Sequence, residues 1–89
     1  MNSAPVASFW VLYRRLPAEV RQQARKAHRL WKVDPQLAGL WFKRVRAGHN
    51  IYSVRISRDY RACGQLRGDT MHWDFIGDHD AYIRYLDSL

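Results

Sequence analysis

At 89 residues with 47% apolar and 13% aromatic side chains, the chain has room for one domain with a packed core and none for a second, which excludes a disordered or multidomain protein. A net charge of +7 favours an anionic partner, either nucleic acid, an acidic protein or an anionic membrane surface. A single cysteine rules out an internal disulfide and suits the reducing cytoplasm, and no apolar run approaches the roughly 20 residues that a spanning helix needs.

In chain order, Ser3 is a possible N-cap and Pro5 lies in a first turn. Val6, Phe9, Trp10, Tyr13 and Leu16 then recur at helical spacing. Arg14 and Arg15 follow the apolar stretch Phe9 to Leu12 rather than precede it, so it is not a signal peptide. Pro17 opens a second helix with Val20, Ala24, Ala27 and Trp31 as its inner face and Arg21, Arg25, Arg29 and Lys32 along a neighbouring one. Asp34-Pro35 ends it.

Beyond Gly39 the pattern changes to strands: Leu40 to Arg46, Ile51 to Ser57, Tyr60 to Leu66 and Thr70 to Ile76. Gly77 breaks the chain, and Asp78 caps a last short helix carrying Tyr82, Tyr85 and Leu86. The charge is uneven: residues 1–40 hold seven Lys/Arg against two acids, 41–68 seven against one, and 69–89 one against five. The anion-facing surface is therefore expected from the first two-thirds of the chain.

A three-residue turn at Ser57-Arg58-Asp59, with Asp59 left-handed, segregates apolar from polar residues. It sets Val54 opposite Ala62 and Arg55 opposite Arg61. A turn at Arg67-Gly68 then sets Arg61 opposite Asp74, Cys63 opposite His72 and Tyr60 opposite Phe75, so that Tyr52, Val54, Ile56, Trp73 and Phe75 share one buried face. Two adjacent arginines repel each other and suit a site where a phosphate lies between them. The alternative is an exposed cross-strand pair of Arg61 with Asp74. Cys63 beside His72 has no orienting third group, and His28, His49, His72 and His79 have no metal-ligand spacing, so no metal is expected.

Tyr52-Ser53-Val54-Arg55-Ile56 followed by Asp59-Tyr60-Arg61-Ala62 resembles the central hairpin of the RelE/ParE toxin superfamily. Trp73-Asp74-Phe75-Ile76-Gly77-Asp78-His79-Asp80-Ala81-Tyr82 is similar to the Trp-x-x-Ile-Gly-x-His-x-x-Tyr ending of the branch described as cytotoxic translational repressors. Phe9-Trp10, Leu16-Pro17 and Phe42-Lys43 also match that branch.

The resemblance implies a single α+β domain over residues 1–89. Its N-terminal helical hairpin would pack on one face of a four-stranded antiparallel sheet, with a short C-terminal helix. It implies a cytoplasmic type II toxin held inactive by an antitoxin, acting as a metal-independent endoribonuclease on translated mRNA at the ribosome, with no cofactor. The alternative is a non-catalytic or gyrase-directed ParE-like member. Arg61 matches the arginine that holds the scissile phosphate, and Arg55 a basic residue on the preceding strand. His79 and Tyr82 fall near C-terminal catalytic positions, and Lys43, Arg44, Arg46 and Arg58 are the expected RNA-backbone contacts. The sequence departs from the family in two places: Ser53 stands where a second lysine is usual, and the first residues look helical where the family begins with a strand.

Overall fold

The computed structural model describes residues 1–89. Helix α2 (Ala18–Val33) starts after Pro17, whose fixed φ suits a helix start, and buries Val20, Ala24, Ala27 and Trp31 as their spacing predicts. It ends at Asp34, which is extended, as the residue before a proline prefers. The basic row on α2 is more than a solvated face. Arg21 donates to the Leu16 carbonyl, Arg25 to the Tyr13 hydroxyl and Lys32 to the Met1 carbonyl, so the row ties the N-terminal segment to α2.

The first residues differ from the all-helical expectation. Asn2–Ser3 forms a short strand, β1, and helix α1 spans Ala7–Arg14 with Val6 at its cap position and no side-chain cap. Ser3 is therefore not the N-cap. Its hydroxyl accepts a hydrogen bond from the buried Trp73 Nε1 at 2.9 Å and lies 2.9 Å from His28 Nε2. A buried indole N–H needs a partner, and this demand outweighs the capping preference of serine.

The other strands are β2 (Lys43–Arg46), β3 (Ile51–Ser57), β4 (Tyr60–Arg67) and β5 (Thr70–Asp78), in the sheet order β1-β5-β4-β3-β2. Four are antiparallel as expected, and β1 adds a fifth, parallel to β5. Strand β2 is shorter than the predicted 40–46 because Ala38–Leu40 is a 3-10 turn and Trp41 is left-handed at φ 47°. Leu40 and Phe42 still reach the core on either side of it.

The β3–β4 register keeps Val54 opposite Ala62 and Arg55 opposite Arg61. The turn is shorter than expected: Ser57 pairs with Tyr60 across Arg58-Asp59, and Ile56 is a bulge. Asp59 is not left-handed; the positive-φ residues are Trp41, Asn50 and Gly68.

The β4–β5 hairpin departs further. Gly68, at φ 58°, takes the first central position of a two-residue turn, where type II′ hairpins place glycine, so Gly68-Asp69 is the turn and Arg67 pairs with Thr70. A second irregularity leaves Asp74 unpaired between Trp73 and Phe75. Arg61 therefore lies opposite Gly77 rather than Asp74, Cys63 opposite Phe75 rather than His72, and Tyr60 opposite Asp78. Strand β5 also runs through Gly77 to Asp78 instead of stopping at Ile76.

Because the bulge reverses the alternation, the apolar residues divide between two faces. Val54, Ala62, Met71, Trp73 and Ile76 form the main core with α2, and Tyr52 and Ile56 pack against it. Phe75 does not join them. It forms a smaller cluster with Ile51 and Cys63, covered by Ala81, Tyr82 and Tyr85 of helix α3 (His79–Asp87). Within the main core Trp31 meets Trp73 and Phe42 edge-on at 5.3 and 5.7 Å.

Gly64 sits beside this bulge, where the two backbones approach closely. A Cβ there would lie only 2.3 Å from the His72 carbonyl oxygen and 2.7 Å from Trp73 Cα. Neither atom can move without shifting the sheet. Gly64→Ala should thus cost about 1–3 kcal/mol, the usual penalty for overpacking. A thermal melt equal to wild type would show that the strands are farther apart than this.

Candidate functional site

Topology gathers most of the predicted site residues at one end of the sheet. Arg55 lies near the end of β3 and Arg61 near the start of β4, directly paired. Arg58 lies in the turn between those strands. Gly77, opposite Arg61, comes two residues before His79, the first residue of α3. Asp78 accepts a hydrogen bond from the Ala81 backbone N–H, which fixes the start of that helix as its sequence predicts. His79 is exposed, Tyr82 is half-buried, and their rings lie 6.3 Å apart.

Lys43, Arg44 and Arg46 are exposed on the edge strand β2. Lys43 pairs with Ser53, two residues from Arg55, whereas Arg46 pairs with Ile51 at the far end. Only Lys43 of these three therefore lies close to the arginine pair.

The guanidinium of Arg61 is held by its own hairpin. Nη1 donates to the carbonyls of Ser57 at 2.8 Å, Tyr60 at 3.0 Å and Arg58 at 3.3 Å. The rest of the planar fork remains for a ligand, and a guanidinium fixed this way is preorganised for an anion. Asp74 is not its partner: its Oδ1 accepts from the Tyr85 hydroxyl at 2.8 Å.

Burial chiefly, helped by the hydrogen bond to Asp74 and its charge, pushes the Tyr85 phenol well above the usual range. Cys63 is likewise pushed far up, first by burial and then by Asp74, with Arg61 opposing more weakly. A fully buried thiol held protonated, with Phe75 rather than His72 across the ladder, is no nucleophile.

Two features stand apart from the predicted site residues: Trp41, the one tryptophan of four for which the sequence leaves exposure open, and a cavity. Trp41 is 55% exposed, and the Arg55 guanidinium stands 4.8 Å from its ring centroid. Between α1 and α2 lies an apolar cavity of about 460 Å³, floored by Val54, Ala62, Trp73 and Ile76 and rimmed by Arg25 and Arg29. His28 also borders it. Desolvation, with a smaller repulsion from Lys32, holds the His28 imidazole below its ordinary pKa, which favours the neutral ring.

The ParE-like toxin domain family matches residues 18–84. The chain belongs to the ParE-like toxins. Two solved structures share its fold. The RelB–RelE antitoxin–toxin complex from Methanococcus jannaschii contains a chain 17% identical, with a TM-score of 0.74 over 92% of this chain and 96% of that one. The YoeB/ParE toxin from Agrobacterium tumefaciens is 18% identical, with a TM-score of 0.69 over 89% of this chain and 99% of its own. No curated protein sequence matches the chain.

Within this ParE-like fold the departure at Ser53 has a structural counterpart. Ser53 is 2% exposed and sits between Lys43 and Cys63 in the ladder. A lysine at this buried position would have to desolvate its ammonium, whereas Lys43, its partner on the edge strand, is exposed. No helix of the chain is long and apolar enough to cross a membrane.

Proposed function

We propose that this ParE-like chain is the toxin of a type II toxin–antitoxin pair and that it cleaves translated mRNA in the cytoplasm without a metal ion. The observation that carries this reading is the Arg55–Arg61 pair, with Arg61 held by its own turn and His79 at the adjoining start of α3. Arg61 and Arg55 hold the scissile phosphate. The ribose 2′-hydroxyl attacks it and releases its proton to solvent, a 2′-oxygen–phosphorus bond forms, and the bond to the 5′-oxygen breaks. His79 protonates the leaving oxygen, and Tyr82 completes the pocket beside it. Lys43 and Arg58, and more distantly Arg44 and Arg46, bind flanking phosphates.

The antitoxin's seat in this reading is the cavity between α1 and α2. An amphipathic segment would lay its apolar side on the more accessible aromatics of the lining, Phe9, Trp10 and Tyr13, and its acidic residues against Arg25 and Arg29.

A second reading draws support from the buried Ser53 and the ParE-like family match: a protein-binding toxin directed at DNA gyrase, or a member that binds its antitoxin without catalysis. Induced expression should arrest growth, and co-expression of an adjoining reading frame for a small DNA-binding protein should restore it. Unimpaired growth with the chain present at full level would reject a toxin that acts alone.

A further inference from the structure

We propose that Trp41 and Arg55 form a stacking platform for one unpaired base of single-stranded RNA, one ladder step from Arg61. This rests on the RNA-cleaving reading above and adds a binding contact to it. Trp41 is 55% exposed although both neighbours, Leu40 at 4% and Phe42 at 9%, are buried. The exposure comes from the backbone: φ 47° and ψ 44° place Trp41 in the left-handed region, which residues with a Cβ seldom occupy. The chain is anchored in the core on either side of a residue turned to solvent in an unfavoured conformation, and such strain concentrates at ligand sites.

The indole does not stand alone. The Arg55 guanidinium lies 4.8 Å from its ring centroid, and Arg55 is paired with Arg61. Indole and guanidinium together present the flat, cationic surface on which nucleobases stack. The exposed charges that continue from Trp41 along β2, Lys43 and Arg44, are cationic as well. That setting suits a polyanion whose bases are free to splay out. A duplex would not offer an unpaired base. The groove on which Arg55 also borders, with Leu30 and Leu37 exposed, makes a protein contact the competing occupant that the test must separate.

The test uses the purified full-length chain and a labelled oligoribonucleotide with 2′-O-methyl sugars, which binds but cannot be cleaved by 2′-hydroxyl attack. An abasic backbone of equal length is the control. Trp41→Gly suits the left-handed backbone and should keep the melting temperature near wild type. It should weaken binding of the base-bearing oligonucleotide roughly 5- to 150-fold, the range for one stacked base. Binding of the abasic backbone should stay unchanged. Trp41→Phe should retain most of the affinity and Trp41→Leu should lose it, so the result does not depend on the glycine variant folding.

Equal affinity of wild type, Trp41→Gly and Trp41→Leu for the base-bearing oligonucleotide overturns the platform and leaves the RNA reading standing. Loss of antitoxin binding with RNA affinity intact overturns it in favour of a protein contact. A wild-type chain that binds neither oligonucleotide overturns both proposals. Trp41-dependent binding without cleavage of natural RNA upholds the platform and removes only the ribonuclease assignment.

Discussion

Arg61→Ala should lower mRNA cleavage roughly 10²–10³-fold, the usual cost of losing one preorganised donor to the charge that develops in a transition state. The phosphoryl oxygens gain negative charge as the 2′-oxygen attacks, and a guanidinium already fixed over its turn meets that charge without reorganising. The same fixation gives the substitution a structural cost. The Ser57 and Tyr60 carbonyls lose their donor, and hydrogen bonds to charged groups contribute about 1.5–3 kcal/mol each in favourable cases and less where water replaces them. Thermal melts recorded beside the cleavage assay separate the two effects. Arg61→Lys should recover little activity, because an ammonium cannot hold the turn and a phosphate in one plane. Arg55→Ala should mainly weaken binding. Cleavage by Arg61→Ala at the wild-type rate would remove this residue from the chemistry.

Binding of the antitoxin segment should raise the melting temperature by about 10–20 °C once it is present at a hundredfold excess over its Kd. That excess is worth about 2.7 kcal/mol of mass-action stabilisation, and each kcal/mol moves a domain of this size by about 4–8 °C. The effect follows from apolar surface left open at the cavity between α1 and α2. Trp10 is 41% exposed there and Phe9 and Tyr13 are half-buried, so a bound segment would cover aromatic surface that the two helices leave uncovered. Reversing the rim charges in an Arg25→Glu, Arg29→Glu double variant should slow association and flatten its salt dependence, with less effect on the apolar contact itself. Unchanged melting in the presence of a segment that co-purifies with the chain would move its seat elsewhere.

The sequence speaks most clearly where one periodicity repeats. The 4-3-4 spacing of Val20, Ala24, Ala27 and Trp31 identifies the buried face of α2, and apolar segregation sets Arg55 opposite Arg61. Misreadings begin where a single residue interrupts a pattern. The bulge at Asp74 has no residue-type signature, yet it moves Phe75 to the other face and leaves Asp74 to Tyr85, and together with the two-position shift from the Gly68-Asp69 turn it sets Gly77 opposite Arg61. Strand β1 has two residues, too few for alternation to register, and Ser3 is claimed by Trp73, seventy positions away. The left-handed turn at Trp41 runs against the preference of any residue with a Cβ, so the sequence leaves exposure of Trp41 open without marking its conformation or its contact with Arg55. The candidate site was therefore legible as a pair of arginines and a C-terminal motif, whereas the Trp41–Arg55 contact and the cavity between α1 and α2 are products of tertiary packing.

The most direct test of the central claim maps the 5′ ends of ribosome-bound mRNA after induced expression, with DNA supercoiling by gyrase measured in the same cells. RNA cleavage at Arg61 predicts new 5′ ends within translated codons, their absence with Arg61→Ala, and unaffected supercoiling. Growth arrest with intact mRNA and blocked supercoiling would contradict it and establish the gyrase-directed reading instead.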